Sequence, residues 1–508
     1  MRYVVDAQEM KRYEETVTDT MGMPSLVLQE RAAMAVADEI RQWAEGEGLR
    51  EAEKRVLVVA GCGNNGADGL AAARILSQEG WKVTVYQTGP ADHSTREWER
   101  QYKIIGYYPV RMVSNWPQEE YTIMVDALFG IGLSRQIQDG YARIVQEFNR
   151  RSGYKLAVDV PSGVHAQTGK IMGEAVKADK TVTFGWAKKG LLYYPGAEYA
   201  GEVTVREIGV NDSCFEAAGK KPGMFYYDEP VIKLLPPRRA DGHKGDFGKV
   251  LLIAGFEQMP GAAVLAAQAA YHTGAGMVKV ACPEENRGIV QAAAPEALWT
   301  KPESWRQGCE WADVIVIGPG LGKSGRVKEI LEGVLRESRL PLVLDADALN
   351  LIAGDMGLQL LTAEQGKSGR DMILTPHEGE MARLSGKTVS QIREDREHAA
   401  RVLARDLHCV LVCKGARTLT CREQGECCVN LRGDSGMGTA GSGDVLSGII
   451  AALLAQGADA FTAAGVGVYL HGLAGELAAD RCSSYGMAAG NLAQAIPLIL
   501  GGPEWMQK

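Results

Sequence analysis

The chain has 508 residues, 46% of them hydrophobic and 23% charged, the composition of a folded soluble protein too long for one core and fitting two domains. Its 55 Lys and Arg against 63 Asp and Glu leave a formal net charge of −8, so nothing in the overall charge favours nucleic acid or an anionic membrane as partner. The 61 glycines, about 12% against a usual ~7%, cluster after apolar runs, where close backbone approach to a ligand needs them.

In chain order, DAQEMKRYEETVTDT and SLVLQERAAMAVADEIRQWAEG predict two helices that pack on a sheet or on another subunit. The N-terminus lacks the apolar h-region of a signal peptide. The most apolar later tract, VLSGIIAALLAQGADAFTAAGVGVYLHG, is broken by Ser447, Gln456 and Asp459 and reads as buried helices, not a membrane span. A cytoplasmic protein with free thiols is expected, because ten cysteines without a secretion signal do not make a disulfide framework. The cluster from Cys409 to Cys428 matches no paired zinc spacing, and it reads as a hairpin with CVLVCKG and TLTC as strands and REQGE as the turn.

Short β-branched runs alternate with helical patterns in both halves, which predicts α/β domains with parallel sheets covered by helices. The first series is RVLVVA (55–60), KVTVYQ (82–87), YTIMVDA (121–127), KLAVDV (155–160) and KTVTFG (180–185). Between about Asn211 and Lys249 the pattern dissolves around Pro222, Gly223, Pro236 and Pro237, a linker candidate. The second series is KVLLIAG (249–255), MVKVACP (277–283), VIVIGPG (314–320), PLVLDAD (341–347), MILTPH (372–377) and CVLVCKG (409–415). All but MVKVACP end in Gly, Asp or His, with Lys414 just before the last Gly, and ligands of open α/β sheets bind beyond the carboxyl ends of the strands.

In the first half, VLVVAGCGNNGADGLAAARIL sets a Gly/Asn loop between strand and helix, where free N–H groups bind phosphate; a glycine turn with no ligand reads the same way. VDALFGIGLSRQ and AVDVPSGV place Asp126, Asp159 and Ser162 at further strand ends. With Asn65 these oxygens could surround one pocket and suit a hard cation, although a strand-end Asp also serves as a helix cap.

GCGNNGADG, DALFGIGLSR and DVPSGV together resemble the NAD(P)H-hydrate epimerase domain over residues 1–215. The resemblance implies a Rossmann-like three-layer sandwich. It implies that Asn64, Asn65, Gly66, Ala67 and Asp68, with Gly130, Ile131, Gly132, Leu133, Ser134, Arg135 and Gln136, bind the hydrated dinucleotide. It also implies that Asn65, Asp126 and Ser162 hold K+, and that Asp159 sits at the nicotinamide as acid/base. Ala67 stands where the family has a second glycine.

In the second half, GSGDVLSGIIAALLA places Asp444 just before a helix, whose N–H groups and dipole stabilise phosphoryl charge while a carboxylate accepts a hydroxyl proton; a plain helix cap is the competing reading. KGART, LTPHEGEMAR and GPGLG add a lysine, His377 with Glu378 and Glu380, and a tight backbone turn. GSGD alone resembles the ribokinase-like superfamily. HKGDFGKVLLIAG, GAGMVKV, GPGLG, DADALN, LTPHEGE, KGA and GMGTAGSGDVLSG together resemble the nucleotide-dependent NAD(P)H-hydrate dehydratase domain over residues 225–505.

That resemblance implies a ribokinase-like α/β/α sandwich. It maps the hydrated dinucleotide to Gly320, to His377, Glu378, Gly379, Glu380, Met381, Ala382 and Arg383, and to Asp444. It maps ADP to Lys414, Gly415, Ala416, Arg417 and Thr418, and to Asp434, Ser435, Gly436, Met437, Gly438, Thr439, Ala440, Gly441, Ser442 and Gly443. Asp434 replaces the usual asparagine. Asp444 would help the C6 hydroxyl attack the terminal phosphate of ADP, with ATP the alternative donor and Mg2+ at the phosphates.

The expectation is therefore an epimerase domain (1–222) joined to a dehydratase domain (223–508) in a metabolite-repair enzyme that acts on small molecules and forms a homo-oligomer. Two rivals stand beside it: a sugar or vitamin kinase fused to a dinucleotide-binding domain, and a first half that binds without catalysing.

Overall fold

The β-branched run after Lys54 forms the strand Arg55–Ala60, and its alternate side chains enter opposite layers. Val56, Val58 and Ala60 pack with Val36, Leu70 and Trp98 from three helices, whereas Leu57 and Val59 pack with Val145 and Phe148 of the helix Asp139–Arg150. One sheet with helices on both faces is the result. The computed structural model describes residues 1–89, 94–228 and 231–502. It divides the chain into Arg2–Gly223 and Met224–Lys508, the latter with Met1.

In the first unit the parallel strands lie in the order Val110–Val113, Lys82–Gln87, Arg55–Ala60, Ile123–Ala127, Tyr154–Val158, Lys180–Phe184 and Glu202–Arg206. The chain moves outward from Arg55–Ala60 and then returns to its other side at Ile123–Ala127, which makes the gap between those strand ends the place for a ligand. Separately, Arg2–Val5 pairs in parallel with the short strand Ala187–Lys188, setting Val5 opposite Lys188.

In the second unit the order is Leu298–Thr300, Met277–Ala281, Lys249–Ile253, Val314–Ile317, Leu342–Leu344, Met372–Leu374, Val410–Cys413, Leu419–Cys421, Cys427–Val429 and Met224–Tyr226. The strands run parallel as far as Val410–Cys413; Leu419–Cys421 is antiparallel to both its neighbours. The helix Ser442–Ala455 packs on Pro260–His272 and lies under the middle strands. Among the described residues no helix is long and apolar enough to cross a membrane.

One sequence expectation, the cysteine-rich hairpin, is corrected. The linker candidate 211–249 contains the division between the two units at Gly223 and Met224, and it carries the helix Cys214–Ala218, the strand Met224–Tyr226 and a 3-10 turn Val231–Leu234; Glu229 and Pro230 lie outside the described residues. The cysteine-rich segment is a three-strand meander: KGART turns Val410–Cys413 back onto Leu419–Cys421, and REQGE then turns that strand onto Cys427–Val429. Val110–Val113, Glu202–Arg206 and Leu298–Thr300 were not foreseen as strands, because they are short or half-exposed and lack a continuous apolar run.

Candidate functional site

The first site gathers at the switch point of the seven-stranded sheet. Asn65 lies in the first turn of the helix Asn64–Gln78, directly after Arg55–Ala60. A side chain on Gly66 would put Cβ 1.9 Å from the Gly61 carbonyl oxygen, so the loop closes on itself only with glycine there. Ala67 is fully buried and tolerated.

Asp126, at the end of its strand, is locked from two sides: Ser162 donates to it through Oγ at 2.6 Å and through its backbone N–H at 2.7 Å. Phe129 N–H donates to Ser162 Oγ at 2.8 Å, and the next residue, Gly130, leaves only 3.2 Å between an added Cβ and Asn65 Oδ1. The structure therefore brings Asn65, Asp126 and Ser162 around the 129–130 turn. Burial pushes Asp126 up to about 6, against the opposing hydrogen bonds from Ser162 and Leu128. The buried Nδ2 of Asn65 has no partner, and a 180° amide turn would present its oxygen instead. An all-oxygen set with a buried carboxylate and an unused amide end fits an alkali cation.

Asp159 follows the strand Tyr154–Val158 in a left-handed backbone conformation, φ 65°, uncommon for a residue with a side chain. Lys188, 0% exposed, donates its ammonium to Asp159 Oδ1 at 2.6 Å, to Thr183 Oγ1 at 3.0 Å and to the Phe184 carbonyl at 2.8 Å. The Thr183 hydroxyl and the Phe184 N–H also donate to Asp159 Oδ1, so these donors converge on one oxygen. Glu14 and Asp68 lie in the same field: burial raises Glu14 to about 7, and burial with Asp159 and Glu14 nearby raises Asp68 well above the usual range. The sequence reading missed Lys188 and Glu14. Neither belongs to a glycine loop or strand end, and a lysine with no exposure is legible only after folding.

The second site stands on three adjacent strands, Leu342–Leu344, Met372–Leu374 and Val410–Cys413, whose ends carry Asp345, His377 and Lys414. His377 and Lys414 form a parallel bridge, with Lys414 N–H donating to the Pro376 carbonyl at 2.9 Å. Lys414 Nζ donates to Asp345 Oδ1 at 2.7 Å, and Ser447 Oγ donates to Asp345 Oδ2 at 2.8 Å. Ser447 is one helical turn beyond Asp444 in Ser442–Ala455, so the Asp345 carboxylate ties the lysine to the helix that carries Asp444. A Cβ on Gly443 would stand 3.2 Å from Lys414 Nζ, which sets the ammonium against the helix start.

Burial, then Asp345, push Asp444 up to about 7, with Lys414 opposing and Asp347 adding. Burial raises Glu380 to about 7 as well, with Lys414 opposing and Asp345 adding. Burial works against the Lys414 charge, but Asp345, Glu380 and Asp444 outweigh it and hold its pKa above the ordinary value. Asp345 and Ser447 received no role from the sequence, although DADALN showed the same strand-end signal as Asp159.

The remaining residues divide. His377 caps the helix Glu378–Ser385, its Nδ1 accepting from Gly379 N–H at 2.9 Å. Glu378 pairs with Arg393 at 2.6 Å, and Met381 and Ala382 are buried in the core. Gly320, at φ 56°, packs on Met259 and Ala262, while its loop reaches the cluster through Gly322 N–H, which donates to Asp347 at 2.9 Å. The two loops expected at ADP are tied together: Asn430 N–H donates to the Thr418 carbonyl at 2.9 Å and Arg417 to the Leu431 carbonyl at 2.6 Å. Asp434 accepts from Gly436 N–H at 2.7 Å and from Ser484 Oγ at 3.0 Å, capping the turn Ser435–Met437. Ser442 Oγ meets Nε2 of the buried His471 at 3.2 Å, and burial takes that imidazole down to about 4.

Comparison with known proteins places both sites in matched regions. A family model described as NAD(P)H-hydrate dehydratase matches residues 250–498, and one described as YjeF-related protein N-terminus matches 25–190. The bifunctional NAD(P)H-hydrate repair enzyme Nnr of Moorella thermoacetica is 35% identical over 99% of this chain and 97% of its own. That of Escherichia coli is 33% identical over 99% and 94%. The solved ADP/ATP-dependent NAD(P)H-hydrate dehydratase from Bacillus subtilis, co-crystallised with ATP and Mg2+, is 31% identical over 55% of this chain and 95% of its own, with a TM-score of 0.47.

Proposed function

The chain belongs to the bifunctional NAD(P)H-hydrate repair enzymes, and from that membership we propose that residues 1–222 interconvert the R and S hydrates of NADH and NADPH while residues 223–508 dehydrate the S form, turning ADP into AMP and phosphate. The observation that carries the second activity is the Asp345–Lys414 pair set against Gly443, one residue ahead of Asp444. A cation, free helix N–H groups and a carboxylate base at one point are what phosphoryl transfer to a hydroxyl needs.

At the second site Asp444 takes the proton of the C6 hydroxyl as that oxygen attacks the terminal phosphate. Lys414 and the N-terminus of Ser442–Ala455 face the charge that develops. The dinucleotide lies along Gly320, His377, Glu380 and Arg383, and ADP along 414–418 and 434–443. Mg2+ bound with the nucleotide would neutralise its phosphates. ATP is the alternative donor.

At the first site the loops 64–68 and 130–136 hold the dinucleotide. Asp159 exchanges a proton with the C6 hydroxyl as it leaves and returns, and Lys188 fixes its orientation. Asn65, Asp126 and Ser162 would hold K+, whose charge would offset the buried Asp126 carboxylate. Self-association belongs to the same reading: Val27 and Met34, seven residues apart on the helix Ser25–Gly46, are both exposed. Light scattering on the full chain checks it.

The test supplies mixed R and S hydrates with ADP, ATP or no nucleotide and follows recovery of NADH absorbance. Complete recovery with nucleotide is expected. Recovery that stops when the S form is exhausted would remove the epimerase activity, and a stable phosphorylated product without AMP-linked NADH release would favour the kinase rival.

A further inference from the structure

We infer that Glu380 is the base that takes the C5 proton in the closing half of the dehydration, an inference that rests on the dehydratase reading above. The product ring has a C5=C6 double bond, so two protons must go: one from the C6 hydroxyl and one from C5. Asp444 accounts for the first. Once the C6 oxygen is phosphorylated, the N1 electron pair expels it: the C6–O bond breaks, its electron pair leaves on phosphate, and an N1=C6 iminium forms. A base then removes the C5 proton, the C–H pair becomes C5=C6, and N1 recovers its own pair. No external oxidant or reductant enters.

The acidic and basic groups around Lys414 can be tested one by one for this second task. Asp345 has both oxygens engaged, by Lys414 and Ser447. Asp347 accepts from Gly322 N–H, and Glu378 is paired with Arg393 and Arg396. His377 accepts two backbone N–H groups at Nδ1, 2.9 and 3.4 Å away, so its ring proton sits on Nε2 and the imidazole is a donor there. Glu380 differs. Its Oε2 accepts from His377 N–H at 2.8 Å, while Oε1 is left with His377 Nε2 at 3.4 Å.

Glu380 and Asp444 thus approach the Lys414 ammonium from two different helices, one begun at the end of Met372–Leu374 and the other at Gly441. The charged groups that face Glu380 are Lys414, Asp345 and Arg383, with His377 at its side, and burial holds it near 7, as it does Asp444. Two carboxylates, Glu380 buried and Asp444 half-buried, that each accept a proton near neutrality match a reaction that must shed two.

The competing role for Glu380 is structural, since it completes the capping box of its helix. Glu380→Gln keeps the oxygen that accepts from His377 N–H and removes only the basicity. The experiment is a single turnover of the full chain with ADP and the S hydrate of NADH carrying hydrogen or deuterium at C5, with AMP and NADH both followed. In Glu380→Gln the two steps should separate: one AMP per site still forms, while NADH release lags behind AMP formation by at least ~100-fold and alone gains a primary isotope effect. Tm should stay unchanged in Glu380→Gln and fall in Glu380→Ala. AMP and NADH appearing together at the unaltered rate in Glu380→Gln, or both lost together without an isotope effect, overturns the assignment. An unmutated chain that makes no AMP from ADP overturns the dehydratase reading beneath it.

Discussion

Both sites set an aspartate beside a lysine, buried at Lys188 and half-buried at Lys414, and they wire the two in opposite ways. Asp159 keeps its lysine: Lys188 donates straight to it, with Thr183 and Phe184 converging on the same oxygen. Asp444 gives its lysine away, because Lys414 donates to Asp345 and leaves Asp444 with a second carboxylate nearby and a pKa of about 7. A directly paired carboxylate is held in position. A carboxylate that only senses the cation keeps its proton affinity close to neutrality, the condition for a base that must accept a proton in every cycle.

The sharpest way to break this contrast is to remove each aspartate's proton chemistry alone. Asp444→Asn should lower nucleotide-dependent NADH release by about 10²–10⁴-fold while epimerisation, measured as the R-to-S interconversion, continues unaltered. Lys188→Met leaves the buried Asp159 without its cation, so chemical denaturation should show a loss of about 3–5 kcal/mol, with epimerisation lost and the dehydratase retained. The pH profile separates the two carboxylates next. Asp444 works only without its proton, so the dehydratase rate should fall about tenfold for each pH unit below about 7; a rate that stays flat down to pH 5 would remove it as the base. The smallest effect is expected for Ser447→Ala, which leaves one oxygen of the buried Asp345 without its donor and should cost about 1–3 kcal/mol of stability.

Much of the site chemistry was legible because it sits at strand ends. Asp126, Asp159, His377 and Lys414 each close an apolar run, and the parallel sheet then carries them to one edge. What was illegible is what folding adds from a distance. Lys188 lies 29 residues from Asp159 in a run that has no turn signature, and only the pairing of two short strands brings it in. Asp345 lies 69 residues from Lys414, and a local motif cannot state that contact. The meander failed for another reason: KGART and REQGE are equally good turns, and sequence alone cannot tell which strands each one joins.

The parallel pairing of Val5 with Lys188 reaches further than its length implies. A shortened chain that begins at Ser25 would keep every glycine loop and every strand of the seven-stranded sheet, yet it would lack the neighbour that holds the Lys188 backbone, and Glu14 with it. Such a protein would fold around an intact sheet and still be a poor epimerase. For anyone trimming or tagging this molecule, loss of the first five residues is expected to slow epimerisation and leave the dehydratase rate as it was.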